Sequence, residues 1–367
     1  MFRAAARTRR LAPVVVAGVL VVSCSAPAGP GDRGDLDRMV AGTAVPDAVT
    51  AVPAAVETVP VPHETDAADD AAIWVHPSDP VSSTVIGTDK DGGIGVYDLA
   101  GRELQYVEQT SPNGVDIRQA VTLGDRVVDL VAVSDRSSEL LVFYVVDAPT
   151  RTLRRLAAVD SGIDLYGVCL YRSARTGELS VFGTAYDGEV AQYVLTAPDG
   201  RLHAEPVRAF DVGDQIEGCA ADDELGRLYV GEERRGVWRY GAEPADGDRR
   251  DLVDGTGRLV PDVEGVAIAA QPSDGGHLVV SSQGSDDFVV YGRGGPNRYI
   301  ARFAVGGGPI DGTSHTDGLA VTAASLGPGF PGGLLVVQDD DNDGPDPDRQ
   351  NFKLIRWDDV LATLPDG

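Results

Sequence analysis

Glu264-Gly265-Val266-Ala267-Ile268 is one of six copies of a short word that recurs along the chain. The others are Asp70-Ala71-Ala72-Ile73-Trp74-Val75, Asn113-Gly114-Val115-Asp116-Ile117, Tyr166-Gly167-Val168-Cys169-Leu170, Glu217-Gly218-Cys219-Ala220 and Asp317-Gly318-Leu319-Ala320-Val321. Each opens a short apolar strand. Polar turns follow, for example at residues 172–177, 221–226 and 271–276, and then a second apolar run, as at 179–182, 228–230 and 278–280. A third run closes each unit, as at 191–194, 237–240 and 289–291. Alternation with turn punctuation, and no long helical apolar face, makes the chain all-β. A period of roughly 45–55 residues carrying several short strands is the spacing of propeller blades. The expected fold is a six-bladed β-propeller with mostly four-stranded antiparallel blades, spanning residues 56–367. The constant internal order of the unit argues against a sandwich of unrelated hairpins. Residues 57–61 precede the first word and are expected to pair into the last blade and close the ring.

The chain has 367 residues, 45 of them glycine and only two methionine, a composition suited to tight turns. Its start reads differently. Arg3, Arg7, Arg9 and Arg10 precede an apolar run at 11–22, too short to span a bilayer comfortably. The run ends in Val21-Val22-Ser23-Cys24, which resembles a bacterial lipobox. Residues 1–23 are therefore expected to be a lipoprotein-type signal peptide with Cys24 as the lipidated residue, and an ordinary secretory signal is the alternative. Residues 24–55, rich in Ala, Pro, Gly and Val, read as a flexible tether. The expected location is outside the cell or on its surface, with a lipid anchor as the only membrane contact. Export permits a disulfide, but Cys169 and Cys219 follow the glycine in neighbouring words and read more simply as two small buried core residues.

Formal charge is −26, and about −30 once the four arginines of the leader are removed. Such a surface excludes nucleic acid and anionic membranes as partners. Many carboxylates with five histidines and no paired-cysteine motif favour hard cations such as calcium over zinc. Inner strands of a propeller line its channel, so residues just before them gather at one mouth. This reasoning places Tyr166, Glu217, Glu264 and Asp317 face to face, with Asp262 on the same side by alternation. Uncompensated carboxylates so close would repel, and a divalent cation resolves that. Acids that only cap turns are the plainer alternative. Asp339-Asp340-Asp341-Asn342-Asp343 is a second acidic cluster, with Asp311 as a partner from the preceding loop. It reads equally as a calcium loop or as a solvated one. Lys90 and Arg136 follow the second strands of the first two units. They are candidates to bind a phosphate ester over the acids, or else ordinary surface charges.

These words, taken in order, resemble the beta-propeller phytases, or alkaline phytases. The resemblance runs from about Glu57 to Val360. It is carried by the segment 66–77 (DAADDAAIWVHP), by 92–99 (GGIGVYDL), and by Leu165-Tyr166-Gly167. Gln215-Ile216-Glu217-Gly218, Asp262-Val263-Glu264-Gly265, Ser281-Ser282-Gln283-Gly284, Ile310-Asp311-Gly312-Thr313-Ser314 and Gln350-Asn351-Phe352-Lys353 complete it. The resemblance implies a monomeric, calcium-dependent enzyme whose small-molecule substrate is phytate, myo-inositol hexakisphosphate, as its calcium complex. A calcium-bound water would attack phosphorus directly. By the same resemblance Glu57, Tyr166, Glu217, Glu233, Asp262, Glu264 and Asp317 are ligands of the active-site calcium cluster. Lys90, Arg136 and Gln283 bind phosphate. Glu217, Tyr166, Lys90 and Arg136 are the catalytic group. Asp70, Asp311, Asp339 and Asp341 are implied ligands of structural calcium ions, and His76 packs beside Trp74. Three positions depart from the family pattern: Tyr186 stands where a phosphate-binding lysine is usual, His315 where an acid is common, and Gly114 for one of two asparagines. A calcium-dependent propeller lactonase or esterase, and a non-catalytic propeller that binds calcium or phytate, are the rival readings.

Overall fold

A computed structural model describes residues 48–365, apart from 65, 256 and 344–346. The expected signal peptide, Cys24 and most of the tether lie outside the described residues. Six sheets follow one another along the chain, antiparallel apart from one added edge strand, and four are simple four-strand meanders. Blade 1 comprises Ala68–Trp74, Thr84–Asp89, Gly93–Asp98 and Glu103–Glu108. Blade 2 comprises Pro112–Leu123, Arg126–Asp135, Leu140–Asp147 and Thr152–Asp160. Blade 3 runs from Leu165–Arg172 to His203–Asp211, and blade 4 from Ile216–Asp222 to Arg250–Gly255. The inner strand of each blade packs against the next, and that of blade 6 against blade 1, so the ring is closed.

The last two blades complete themselves with the N-terminal segment. Blade 6 (Leu319–Thr322, Leu334–Asp339, Asn351–Arg356) takes Val56–Glu57 as its outer strand, antiparallel, with Val56 opposite Leu354 and Glu57 opposite Lys353. The expected closure of the ring is therefore present. Blade 5, from Val263–Ala270 to Tyr299–Val305, gains Thr50–Val52 as a parallel fifth strand. Residues 50–55 were expected to be tether. The structure makes them part of the propeller, because Val52 and Ala54 bury their side chains in the core shared with Phe303 and Val305.

The repeated glycine has a common cause. A Cβ on Gly167 would stand 2.1 Å from the Glu217 carbonyl oxygen, and on Gly218 2.2 Å from that of Glu264. On Gly265 it would stand 2.7 Å from the Asp317 carbonyl, and on Gly318 2.4 Å from the Asp70 Cα. Each word's glycine abuts the next blade where that blade's own word begins, so only hydrogen fits. Hydroxyls on second strands reinforce these junctions. Thr88 donates to the Asn113 carbonyl at 2.6 Å, Ser134 to Tyr166 at 2.5 Å, Thr184 to Glu217 at 2.9 Å and Ser281 to Thr316 at 2.7 Å.

Cys169 and Cys219 are joined as a disulfide, their Cα atoms 5.8 Å apart. Reading them as two separate core residues missed this. Cys169 stands two residues after its word's glycine and Cys219 one after, and this one-step offset brings them to disulfide distance across the blade junction.

Candidate active site

The acid before the glycine owes its position to a bulge. Pairing between first and second strands skips a step between Ala68 and Ala71, Pro112 and Val115, Leu165 and Val168, Ile216 and Cys219, and Val263 and Val266. Tyr166, Glu217 and Glu264 fall inside these skips. A bulge frees side chains from strict alternation and re-aims them, and bulges are frequent beside active sites.

Glu217, Glu233 and Glu264 each bring a carboxylate oxygen to within 4.8 Å of the others. Asn113 donates to Glu217. Asp317 enters from blade 6, accepting from Lys90 Nζ at 2.8 Å and from Gln283 Nε2 at 2.6 Å. Lys90 also pairs with Asp66 at 2.7 Å and stands 3.8 Å from Asp69. On the blade 3 side, the rings of Tyr166 and Tyr186 stack with centroids 3.9 Å apart. The Arg136 guanidinium lies 5.7 Å from the Tyr166 ring centre and donates to the Tyr186 hydroxyl at 3.1 Å. Behind the acids the channel encloses a cavity of about 470 Å³, lined in part by Asp69, Glu217 and Asp317.

Burial dominates the electrostatics. It pushes Asp69 up to about 7, the Glu217 charge adding to it and Lys90 and Arg136 opposing it. Asp317 rises to about 7 by burial against the pull of Lys90, and Glu233 to about 7 by burial and then the Asp262 charge. Glu217 is raised by burial and by Asp317, and Glu264 by burial and by Glu217. Burial works against the charge on Lys90, but Asp69, Asp317 and Glu217 outweigh it and hold the ammonium charged. Tyr166 stays a neutral phenol, raised by burial and then by Glu217. These acids are deficient in positive charge. Both oxygens of Asp69, Oε1 of Glu233 and Oε2 of Glu264 are buried without a hydrogen bond. A cluster made only of oxygen donors, with partnerless buried oxygens converging, fits a hard divalent cation.

The structure thus brings together Glu217, Glu233, Glu264, Asp317, Lys90 and Gln283, with Tyr166 and Arg136 along the rim. Asp262 borders Glu233. Two expected ligands lie elsewhere. Glu57 was grouped with the active-site acids, yet its carboxylate lies 2.7 Å from the ammonium of buried Lys353, which also meets Asp311 at 2.6 Å and Asp339 at 3.0 Å. Pairing of Val56–Glu57 onto the Lys353 strand puts it there. Asp70 was grouped with Asp311, Asp339 and Asp341. Instead it lies in the channel wall, where its oxygens accept from the amides of Val115 and Ala71 at 2.9 and 2.8 Å and stitch blade 1 to blade 2. Asp339 is buried and rises to about 7, with Lys353 opposing the effect of burial. Asp341 is exposed, its amide donating to the Ser314 hydroxyl. His76 does pack edge-on against Trp74, ring centres 5.1 Å apart.

A family model described as Phytase matches residues 37–367. The chain belongs to the phytase family. The 3-phytase of Bacillus subtilis (strain 168) is 39% identical to it over 316 residues, which is 82% of this chain and 83% of that protein. Among solved structures, the α-L-arabinanase of Penicillium chrysogenum complexed with arabinobiose aligns with a TM-score of 0.54 at 11% identity. That alignment covers 87% of this chain and 99% of the arabinanase, and it shows the fold alone. Membership of the phytase family makes this chain an enzyme. Sequence reading of the phytase words passed over Asp69, which lies beside the chosen Asp70, as well as Asn113 and Asp66. Alternation sends Asp69 and Asp70 to opposite sides, so one of the two had to face the mouth. The bulge that decides which is invisible in the sequence.

Proposed function

We propose that this chain is a calcium-dependent phosphomonoester hydrolase that releases phosphate from phytate. The observation that carries the reading is the juxtaposition at one channel mouth of partnerless buried carboxylate oxygens with two fixed cations, Lys90 and Arg136. Phytate is a polyanion, and the surface of this chain repels polyanions. A site for it therefore needs cations of its own and cations it recruits. Glu217, Glu233, Glu264, Asp317 and Asp69 would hold calcium, with Tyr166 and Asp262 at its border. Calcium bound there supplies charge neutralisation and acidifies water that it holds.

The side chains have distinct tasks. Lys90 and Arg136 grip the phosphoryl oxygens and stabilise charge as the bond to the leaving oxygen breaks. Lys90 must exchange part of its contact with exposed Asp66 for the substrate. Gln283, anchored on Asp317, turns its other amide hydrogen from a long contact with the His315 carbonyl at 3.5 Å to the phosphate. Glu217, held by Asn113, orients the attacking water and takes its proton. The water attacks phosphorus directly, the bond from phosphorus to the inositol oxygen breaks, and that oxygen leaves as the alcohol, taking a proton from solvent.

Asp311, Asp339 and Asp341 are proposed as ligands of a calcium ion that ties loops together, in competition with Lys353 for the same oxygens. Export, attachment through Cys24 and action as a monomer complete the proposal and rest on the sequence alone. The test is phosphate release from phytate, with added calcium and with chelator, by the wild type and by Glu217→Gln. Release should require calcium and fall by about a hundredfold or more in the variant. Full turnover by chelated protein would overturn the reading.

A further inference from the structure

Inner strands of neighbouring blades share no hydrogen-bonded ladder. They meet through the glycine contacts and hydroxyl bridges described above, and the described residues contain one covalent junction between blades, Cys169–Cys219. It joins the inner strands of blades 3 and 4, which carry Tyr166 and Glu217 into the site. Tyr166 and Gly167 have no partner across the blade 3 ladder, which resumes at Val168 opposite Gly183 and Cys169 opposite Phe182. Glu217 and Gly218 likewise have none in blade 4, where the ladder resumes at Cys219 opposite Val230. The cross-link therefore joins the first re-paired residue after the blade 4 bulge to the second after the blade 3 bulge. It fixes the near end of both bulged segments to one another.

We propose that the Cys169–Cys219 bond is a positioning device for the active site. It sets the separation of Tyr166 from Glu217, and through it the affinity of the acidic cluster for calcium. Nothing equivalent is needed on the other flank. Glu217 and Glu233 share blade 4, and the blade 4 to blade 5 contact is already tight, since both Gly218 and Gly231 press on the Glu264 carbonyl. At the bulges themselves the blade 3 side has the Gly167 contact and the Thr184 hydroxyl, while bonds such as that of the Arg172 amide to Asp223 and of the Tyr171 hydroxyl to Glu243 lie at the far end of the inner strand. Supporting groups that orient ligands govern metal affinity by about ten- to a hundredfold in other sites. The inference rests on the calcium reading of the cluster.

The test uses the full chain with Cys169→Ala and Cys219→Ala together, titrated with calcium by calorimetry well below the variant's melting temperature. A second sample is wild type treated with tris(2-carboxyethyl)phosphine until two additional thiols titrate. The phosphine is oxidised to its oxide as the disulfide becomes two thiols. The dissociation constant for calcium should rise about tenfold in both samples, with KM for phytate rising alongside. A constant within about threefold of the wild type overturns the proposal, whatever happens to the melting temperature, because a bridge that only stabilises leaves affinity unchanged. If the double variant does not fold, the reduced wild type is judged by the same threshold. Wild type that binds no calcium overturns the calcium reading and this inference together, whereas calcium-dependent wild type with an unaltered variant overturns the inference alone.

Discussion

Arg136 is a cation held by two aromatic rings rather than by a carboxylate. Its guanidinium stands over Tyr166 and donates to Tyr186, which is itself stacked on Tyr166 and 37% exposed. The position of Tyr186 looked like a weakness in the sequence, a missing lysine in a site that needs positive charge. In the structure the tyrosine adds no charge, but it orients the charge of its neighbour. Two substitutions separate these roles. Arg136→Ala removes a charge-assisted contact to phosphate, each worth about 1.5–3 kcal/mol, so KM for phytate should rise by about 10- to 100-fold. Tyr186→Phe keeps the stack and deletes only the hydroxyl, so KM should rise by a few-fold, the weight of one neutral hydrogen bond of about 1 kcal/mol. Steady-state kinetics at saturating calcium would measure both. A Tyr186→Phe effect as large as that of Arg136→Ala would mean that the hydroxyl, not the guanidinium, is the main phosphate contact.

At the scale of strands, the recurring glycine is the element on which the ring depends. A Cβ at Gly167 meets the Glu217 carbonyl at 2.1 Å, and this is backbone, which cannot swing away. Gly167→Ala should therefore destabilise by about 2 kcal/mol or more, the upper part of the overpacking range. Gly329→Ala, with open space around it, should stay within about 0.5 kcal/mol. Urea midpoints would measure both, and equal midpoints would show that the blade junction can spread. The same junction explains what could be read from the sequence. Six copies of a word in constant order were enough for six blades, because the apolar alternation and the turns repeat with it. The closing strand Val56–Glu57 was legible as the segment left over before the first copy. The bulges were not legible, since they appear only when strands are registered against each other, and Asp69, Asn113 and the true place of Asp70 depend on them. The hydroxyls of Thr88, Ser134, Thr184 and Ser281 were present in the sequence at equivalent positions, but their meaning needs the neighbouring blade. The disulfide also needed the neighbour, because fifty residues separate its cysteines along the chain. A fifth strand at Thr50–Val52 was hidden by its composition, which resembles the tether that precedes it.

For the whole molecule, closing the ring concentrates acids that the chain can only partly neutralise, and the consequence is a dependence on pH and metal together. In the metal-free protein Asp69, Asp317 and Glu233 titrate at about 7, against about 4 in an unfolded chain. Between these values the native state binds more protons than the unfolded state. Stability contributed by these groups is then fully present below about pH 4 and is lost as pH rises toward about 7. Calcium acts in the opposite sense. It binds the ionised carboxylates, so protons compete with it at low pH. Where it binds, it stabilises by about 2.7 kcal/mol at a concentration a hundred times its dissociation constant. The melting temperature of chelated protein should accordingly fall between pH 5 and pH 8, and the calcium-loaded protein should depart from it increasingly over the same interval. Thermal unfolding at pH 5, 6, 7 and 8, in chelator and in excess calcium, measures the gap directly. A gap that stayed constant or narrowed with rising pH would mean that these carboxylates are not where calcium binds. Asp311 would then be the place to look, because the Asp343 amide and Lys353 outweigh its burial and hold its carboxyl below the usual range.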